Sequence, residues 1–101
     1  MGHCTAWKTG SGQIGIGNPV ELTADSAYFW FFAPSNIELL VKVLDACSLN
    51  NRYWVFAGGL TNVETFLAVV DTQQSPERTY LNPQGQAFLP IQDTDALPSC
   101  P

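Results

Sequence analysis

The chain has 101 residues, enough for one domain, and only 13% of them are charged while 46% are hydrophobic. Globular proteins usually carry about 25% charged residues, so this composition excludes a disordered chain and favours a β-protein. The net charge is −5 and the four cationic residues are scattered along the chain. Such scattering argues against binding to nucleic acids or anionic membranes. Because no apolar run reaches about 18 residues, we expect no membrane insertion.

Residues 1–19 are rich in glycine and polar side chains. A phosphate-binding loop would need a preceding strand and a Gly-Lys-Ser/Thr ending, which this segment lacks. We therefore predict a flexible N-terminal arm over residues 1–19 and a single folded domain over residues 20–101. Within that domain, Val20 to Thr23 is expected to form a short edge strand.

The five consecutive aromatic residues from Tyr28 to Phe32 predict the central strand of the domain. In an extended chain, side chains alternate between two faces. Tyr28, Trp30 and Phe32 would then share one face, and Phe29 and Phe31 the other. The aromatic side chains on both faces of such a strand must be shielded from water, and two packed sheets can provide that shielding.

Residues 37–46 fit either a helix or a strand, and we favour a strand because the neighbouring segments read as β. Three further strands are predicted at residues 53–57, 64–71 and 78–81, with Gly58-Gly59 ending the first of them. From Pro90 onward we predict a tail. These elements, with turn residues every 8–12 positions, predict an all-β fold, an antiparallel immunoglobulin-like β-sandwich of about seven short strands.

The three cysteines, Cys4, Cys47 and Cys100, are too widely spaced for a zinc site. We favour a Cys47–Cys100 disulfide, which would close a loop of about 50 residues and hold the C-terminus. The alternative is that all three thiols are reduced. An odd count leaves Cys4 unpaired or intermolecular.

A series of short motifs across residues 20–101 resembles a recurring, uncharacterised bacterial module of secreted and surface proteins. The motifs are Phe29-Trp30-Phe31-Phe32, residues 36–45, Trp54-Val55-Phe56, residues 60–64, Val70-Asp71-Thr72, Tyr80, Asn82-Pro83 with Gly85, and residues 90–94. The resemblance implies an immunoglobulin-like sandwich and export, and paired cysteines at positions such as Cys47 and Cys100 are common in such modules. It implies no activity. The alternative location is the cytoplasm, since no export signal is visible in this chain.

The chain departs from this module at its start, where the first strand is short. A stand-alone version of this kind is what a mobile integron cassette could encode. A shortened strand would leave a sheet edge open, and we predict that a second copy covers it to form a homodimer. The alternative is that the glycine-rich arm folds back over that edge.

Tyr28, Trp30 and Trp54 are the candidate ligand-binding residues. The simpler interpretation assigns these aromatic residues to the core or to packing under loops. If they are exposed on one face, they could form a platform that stacks against sugar rings or a partner's apolar patch.

Catalysis has little support in this sequence. The single histidine, His3, lies at the terminus, so no Ser/His/Asp or Cys/His set is expected. A hydrolase using Glu38 and Glu64 is the remaining enzymatic alternative. We interpret Asp45, Asp71, Asp93 and Asp95 as acids that cap turns.

The sequence therefore favours a binding or interaction module that is not an enzyme and needs no metal or cofactor. Its expected partner is a protein, with a carbohydrate as the alternative.

Overall fold

Nine strands and one turn of helix make up the secondary structure of residues 2–101, the part of the chain that this computed structural model describes. In chain order the elements are β1 (Gly2–Lys8), β2 (Ile14–Ile16), β3 (Asn18–Thr23), β4 (Ser26–Trp30), β5 (Leu39–Ala46), α1 (Cys47–Asn50), β6 (Arg52–Gly59), β7 (Glu64–Val70), β8 (Glu77–Asn82) and β9 (Ile91–Leu97).

The strands form two antiparallel sheets, which confirms the all-β sandwich. Sheet A has the order β2-β1-β7-β8, and sheet B has the order β3-β4-β5-β6-β9. Four consecutive strands, β3 to β6, form a meander in sheet B, after which the chain crosses to sheet A and returns as β9. The sandwich has nine strands instead of about seven.

The aromatic stretch lies at the centre of this packing. Phe29 and Phe31 are 0% and 5% exposed, whereas Tyr28 and Trp30 are half-buried and Phe32 is 50% exposed. The predicted alternation of faces is therefore confirmed. The strand itself ends earlier than predicted, at Trp30, and Phe31 continues into the core from the bend that follows.

Both sheets contribute to one hydrophobic core. Residues 39–46 form a strand, as favoured over the helix, because Leu39, Val41 and Val43 all face inward and are buried. Leu67 and Val69 of β7 meet them from sheet A and are 0% exposed. This two-sided burial of apolar side chains is the main stabilising term of the fold.

The N-terminal segment is not the flexible arm that its composition predicted. β1 pairs with β7 along its whole length, and β2 folds back onto Ala6, Trp7 and Lys8 of β1. The glycines permit close packing here: the Trp7 ring lies directly over Gly15, and the Thr5 side chain contacts the position where a Cβ of Gly17 would be. The sequence allowed two ways to cover the open sheet edge, a second copy of the chain or the glycine-rich arm. In the structure the arm folds back along β1.

The C-terminal segment is likewise not a tail, because β9 pairs with β6 in sheet B. Ala96 and Leu97 enter the core at 5% and 0% exposure. This strand was not predicted because it contains polar and acidic residues such as Gln92 and Asp93. Such residues are poor strand formers, but edge positions tolerate them. Gly58-Gly59 also remains within β6 instead of breaking it.

The Cys47–Cys100 disulfide is present, with 5.7 Å between its Cα atoms, and Cys4 is a free, exposed thiol. Asn51, at the end of α1, adopts the left-handed conformation with φ of 60°, which asparagine tolerates better than most residues. Among residues 2–101, no helix is long and apolar enough to cross a membrane.

Candidate functional site

The outer surface of sheet B carries a row of partly exposed aromatic and aliphatic side chains, which we call the aromatic face. Its position follows from strand alternation, since most of its members alternate with buried residues such as Phe29, Val41 and Val55. The aromatic face consists of Val20, Tyr28, Trp30, Leu40, Lys42, Leu44, Trp54 and Phe56. The three candidate ligand-binding residues are therefore on one side of the molecule.

These three residues do not form one continuous platform. Tyr28 lies opposite Leu40, and Trp54 lies opposite Leu44, on the two sides of β5. With strands about 4.8 Å apart and about 3.3 Å per residue, Tyr28 and Trp54 are roughly 16 Å apart and Trp30 is roughly 22 Å from Trp54. Leu40 and Lys42 occupy the surface between them.

Trp54 is instead paired with Phe56, whose ring centroid lies 6.0 Å away at an interplanar angle of 34°. Its indole Nε1 donates a hydrogen bond of 2.8 Å to Asn50 Oδ1, and Asn50 Nδ2 donates one of 2.8 Å to the carbonyl of Thr94. Because Asn50 ends the helix that begins at the disulfide-bonded Cys47, the orientation of Trp54 is coupled to the disulfide.

A shallow groove of about 340 Å³ crosses the centre of the aromatic face. Leu40 and Phe56 line its floor, and Leu22 and Gln92 lie at its sides. Lys42 lies opposite Phe56 and lines the same groove, so an exposed cation borders its apolar surface. At the margin of the sheet, Arg52 Nε forms an ion pair with Asp95 Oδ1 at 2.9 Å. An apolar centre with a polar margin is typical of binding surfaces.

The acidic residues proposed to cap turns mostly do so. Asp45 accepts a 3.0 Å hydrogen bond from the backbone N–H of Cys47. Asp71 accepts hydrogen bonds from the N–H groups of Gln73 and Gln74, which lower its pKa. Asp95 differs, because it pairs with Arg52.

Asp93 connects the two sheets at one side of the sandwich. It accepts hydrogen bonds from the Tyr80 hydroxyl at 2.8 Å and from Arg78 Nε at 3.1 Å, both on β8. Burial raises the pKa of Asp93, but the bonds from Asp95 N–H, Tyr80 and Arg78 outweigh it, so the pKa lies below its usual value. Burial, and then the bond to Asp93, raise the pKa of Tyr80 well above its ordinary value. We therefore assign this cluster a structural role, in which it joins β9 of one sheet to β8 of the other.

Glu38 and Glu64, the candidate hydrolase pair, belong to different layers. Glu38 directly precedes β5 of sheet B, where it is 5% exposed and accepts a hydrogen bond from Asn36. Glu64 begins β7 of sheet A, in register with Lys8. The structure does not bring the two carboxylates into one cleft.

A second cavity, separate from the groove on the aromatic face, has a volume of about 420 Å³. Its lining includes His3 and the acidic residues Glu21, Asp25 and Asp45. Within residues 2–101, however, no group of three or more His, Cys, Asp or Glu side chains is arranged to hold a metal ion. We assign no ligand to this cavity.

Leu40, Lys42 and Phe56 line the groove and are among the members of the aromatic face that were not predicted from the sequence. Phe56 could have been found, because it follows Trp54 at the two-residue spacing that places both on one face of a strand. Leu40 and Lys42 could not, since their position depends on the register between β4, β5 and β6.

The fold and site thus define a two-sheet antiparallel β-sandwich with an aromatic outer face. Comparison of this chain with protein-family models, with curated proteins and with solved structures finds no match.

Proposed function

We propose that this protein is a non-catalytic interaction module that binds an apolar segment of another protein on its aromatic face. The observation that carries the proposal is the groove between Leu40 and Phe56, with Lys42 in its lining. Exposed aromatic clusters on a rigid sheet are typical of binding surfaces, since they supply contact area at a small entropic cost.

Lys42 specifies the chemistry of the partner further. An exposed ammonium group beside an apolar surface attracts an anionic group on the partner, and the attraction becomes stronger when binding excludes water from the groove. We therefore expect the bound segment to place an Asp or Glu beside its apolar side chains.

A peptide-display selection against the immobilised, oxidised protein tests this function. The expected result is enrichment of peptides in which aromatic or aliphatic residues flank an acidic residue. The selected peptide should bind at least about tenfold more weakly to a Leu40→Glu variant, since the added carboxylate would be desolvated in the groove. Leu81→Glu is the matched control, because Leu81 is 63% exposed on β8 of sheet A, on the opposite side of the sandwich from the groove. Peptides that bind both variants equally would contradict the proposal.

A carbohydrate is the second candidate ligand, supported by the half-buried rings of Tyr28, Trp30 and Trp54 on one face. The Trp54 indole N–H is already bonded to Asn50, which leaves its ring surface for stacking. Titration with a panel of soluble oligosaccharides tests this candidate through tryptophan fluorescence. An emission change that Trp54→Ala abolishes would support it, and unchanged emission with every sugar would remove it.

We also propose that the protein acts outside the cell or at its surface, because the disulfide is typical of oxidising compartments. Protein isolated without reductant from its native host should react with one equivalent of thiol reagent under denaturing conditions. Three reactive thiols would contradict this location.

A further inference from the structure

The outer surface of sheet A is a second apolar surface, separate from the aromatic face. Its central row crosses all four strands and consists of Ile16, Ala6, Phe66 and Leu81, which are in register with one another. Ile16, Phe66 and Leu81 are 76%, 43% and 63% exposed. A recess of about 560 Å³ lies over Ala6, between Ile16 and Phe66. We call this surface the sheet A face.

The sheet A face carries few charged residues, and two of them lie opposite each other on neighbouring strands. In the row beside the central one, Lys8 of β1 lies directly opposite Glu64 of β7. The remaining charged residue at an outward position of these strands is Glu77, at the far corner of β8. On a chain of net charge −5, this face is close to neutral.

The positions of the large, small and charged side chains make the sheet A face complementary to a second copy of itself. Consider a twofold axis parallel to the strands and midway between β1 and β7, with two copies packed face to face. The axis exchanges β1 with β7 and β2 with β8. Ala6 of one copy then meets Phe66 of the other, so the large ring enters the recess above the small residue. By the same operation, Lys8 meets Glu64 of the second copy, and Ile16 meets Leu81.

We propose that a second copy of this chain docks on the sheet A face through this twofold arrangement. A twofold interface requires a surface that is its own complement, and both the sizes and the charges of the facing residues satisfy that requirement. The aromatic face meets it less well, because Lys42 lies on its central strand and a twofold axis along that strand would place Lys42 against itself. The proposal does not depend on the function assigned to the aromatic face.

The area of the face sets the strength of this association. The strands β2, β1, β7 and β8 contain 3, 7, 7 and 6 residues. At about 3.3 Å per residue and about 4.8 Å per strand, they give roughly 360 Å² of projected surface per copy. Two copies would bury roughly 700 Å² of projected surface, which is below the range of stable interfaces. We therefore expect a weak, reversible dimer.

The arrangement differs from the edge pairing that the sequence suggested. β2 already covers the free edge of β1 at Ala6, Trp7 and Lys8, and Gly17 N–H donates to the carbonyl of Thr5. That edge therefore has little backbone left to pair, whereas the sheet A face is open over its whole width.

Sedimentation velocity of the oxidised full chain from about 5 to 500 μM, with two charge variants, tests the proposal. Lys8→Glu and Glu64→Lys should each be monomeric alone, because the twofold contact then joins like charges. Their equimolar mixture should form a heterodimer, because both contacts become attractive. A mixture of Lys42→Glu and Glu21→Lys, which changes the same charges away from this face, is the control and should show no such gain over its separate components.

The free thiol supplies an independent readout. Cys4 lies in the row next to Ala6, opposite Ala68, and is exposed. Its alkylation rate in the unaltered protein should fall at least threefold between 5 and 500 μM as the second copy covers it. A chain that remains monomeric at 500 μM would overturn the proposal. So would a dimer in which Cys4 keeps its full reactivity and the charge variants associate as the unaltered chain does, since that dimer would use an edge or another face.

Discussion

The Cys47–Cys100 disulfide should account for a large part of the stability of this domain. The bond joins residues 53 positions apart and holds the segment after β9 against α1. In the chain-entropy treatment, a closed loop of 53 residues removes about 14 cal/mol/K from the unfolded state, or about 4 kcal/mol at 25 °C. Domains of this size are stable by about 5–15 kcal/mol in total.

The perturbation is the Cys47→Ala/Cys100→Ala double substitution in a Cys4→Ala background, with Cys4→Ala alone as the control. Removing Cys4 from both proteins prevents thiol exchange. Urea unfolding followed by tryptophan fluorescence should show a loss of about 4 kcal/mol in the free energy of unfolding. In the folded variant, the emission of Trp54 should also shift to longer wavelength, because Asn50 holds its indole N–H from α1. A loss below about 1 kcal/mol would refute the reasoning that the bond constrains the C-terminal strand.

The remaining predictions concern the core and the cluster between the sheets. Leu67→Ala, at a site with 0% exposure, should lower the free energy of unfolding by about 2–5 kcal/mol in urea titrations, and a loss under 1 kcal/mol would mean that the core is misassigned. Gly59→Ala should cost about 1–3 kcal/mol in the same titration, because its Cβ would overlap Phe88; an unchanged midpoint would contradict this contact. The lowered pKa of Asp93 contributes stability above about pH 4, its unfolded value, which is lost as the pH falls further, so Asp93→Asn should flatten the acid limb of a plot of stability against pH. The raised pKa of Tyr80 contributes stability below about pH 10 that is lost at higher pH, and a Tyr80→Phe variant with an unchanged alkaline limb would contradict it.

The fold class followed from the sequence because its strongest patterns are local. Five aromatic residues in succession allow one alternation of faces, and the structure confirms it at Phe29 and Phe31. The strand at residues 39–46 was favoured for the same reason. In each case the side chains that identify the strand also form its core.

The two ends of the chain could not be predicted in this way. β2 depends on glycines that let Trp7 and Thr5 pack closely, and a glycine-rich sequence resembles a flexible linker when its partner strand is unknown. β9 is an edge strand in which Ile91 packs against the core from a partly exposed position, and only Ala96 and Leu97 are fully buried. Both strands are defined by contacts distant in sequence.

The candidate site could be predicted only in part, because it also depends on contacts between residues that are distant in sequence. Alternation placed Tyr28 and Trp30 on one side, but their relation to Trp54 depends on the register across β5. That register separates the three rings and places Leu40 and Lys42 between them. The binding surface is therefore a groove beside the predicted residues and not a platform formed by them.

Collisional quenching by acrylamide tests most directly whether the aromatic face is open and used for binding. The suitable protein carries Trp7→Phe, so that its fluorescence comes from Trp30 and Trp54 alone. We predict a quenching constant between those of free tryptophan and a core residue, which falls when the display-selected peptide is added. Emission that resists quenching in the free protein, or that the bound peptide leaves equally accessible, would contradict the account.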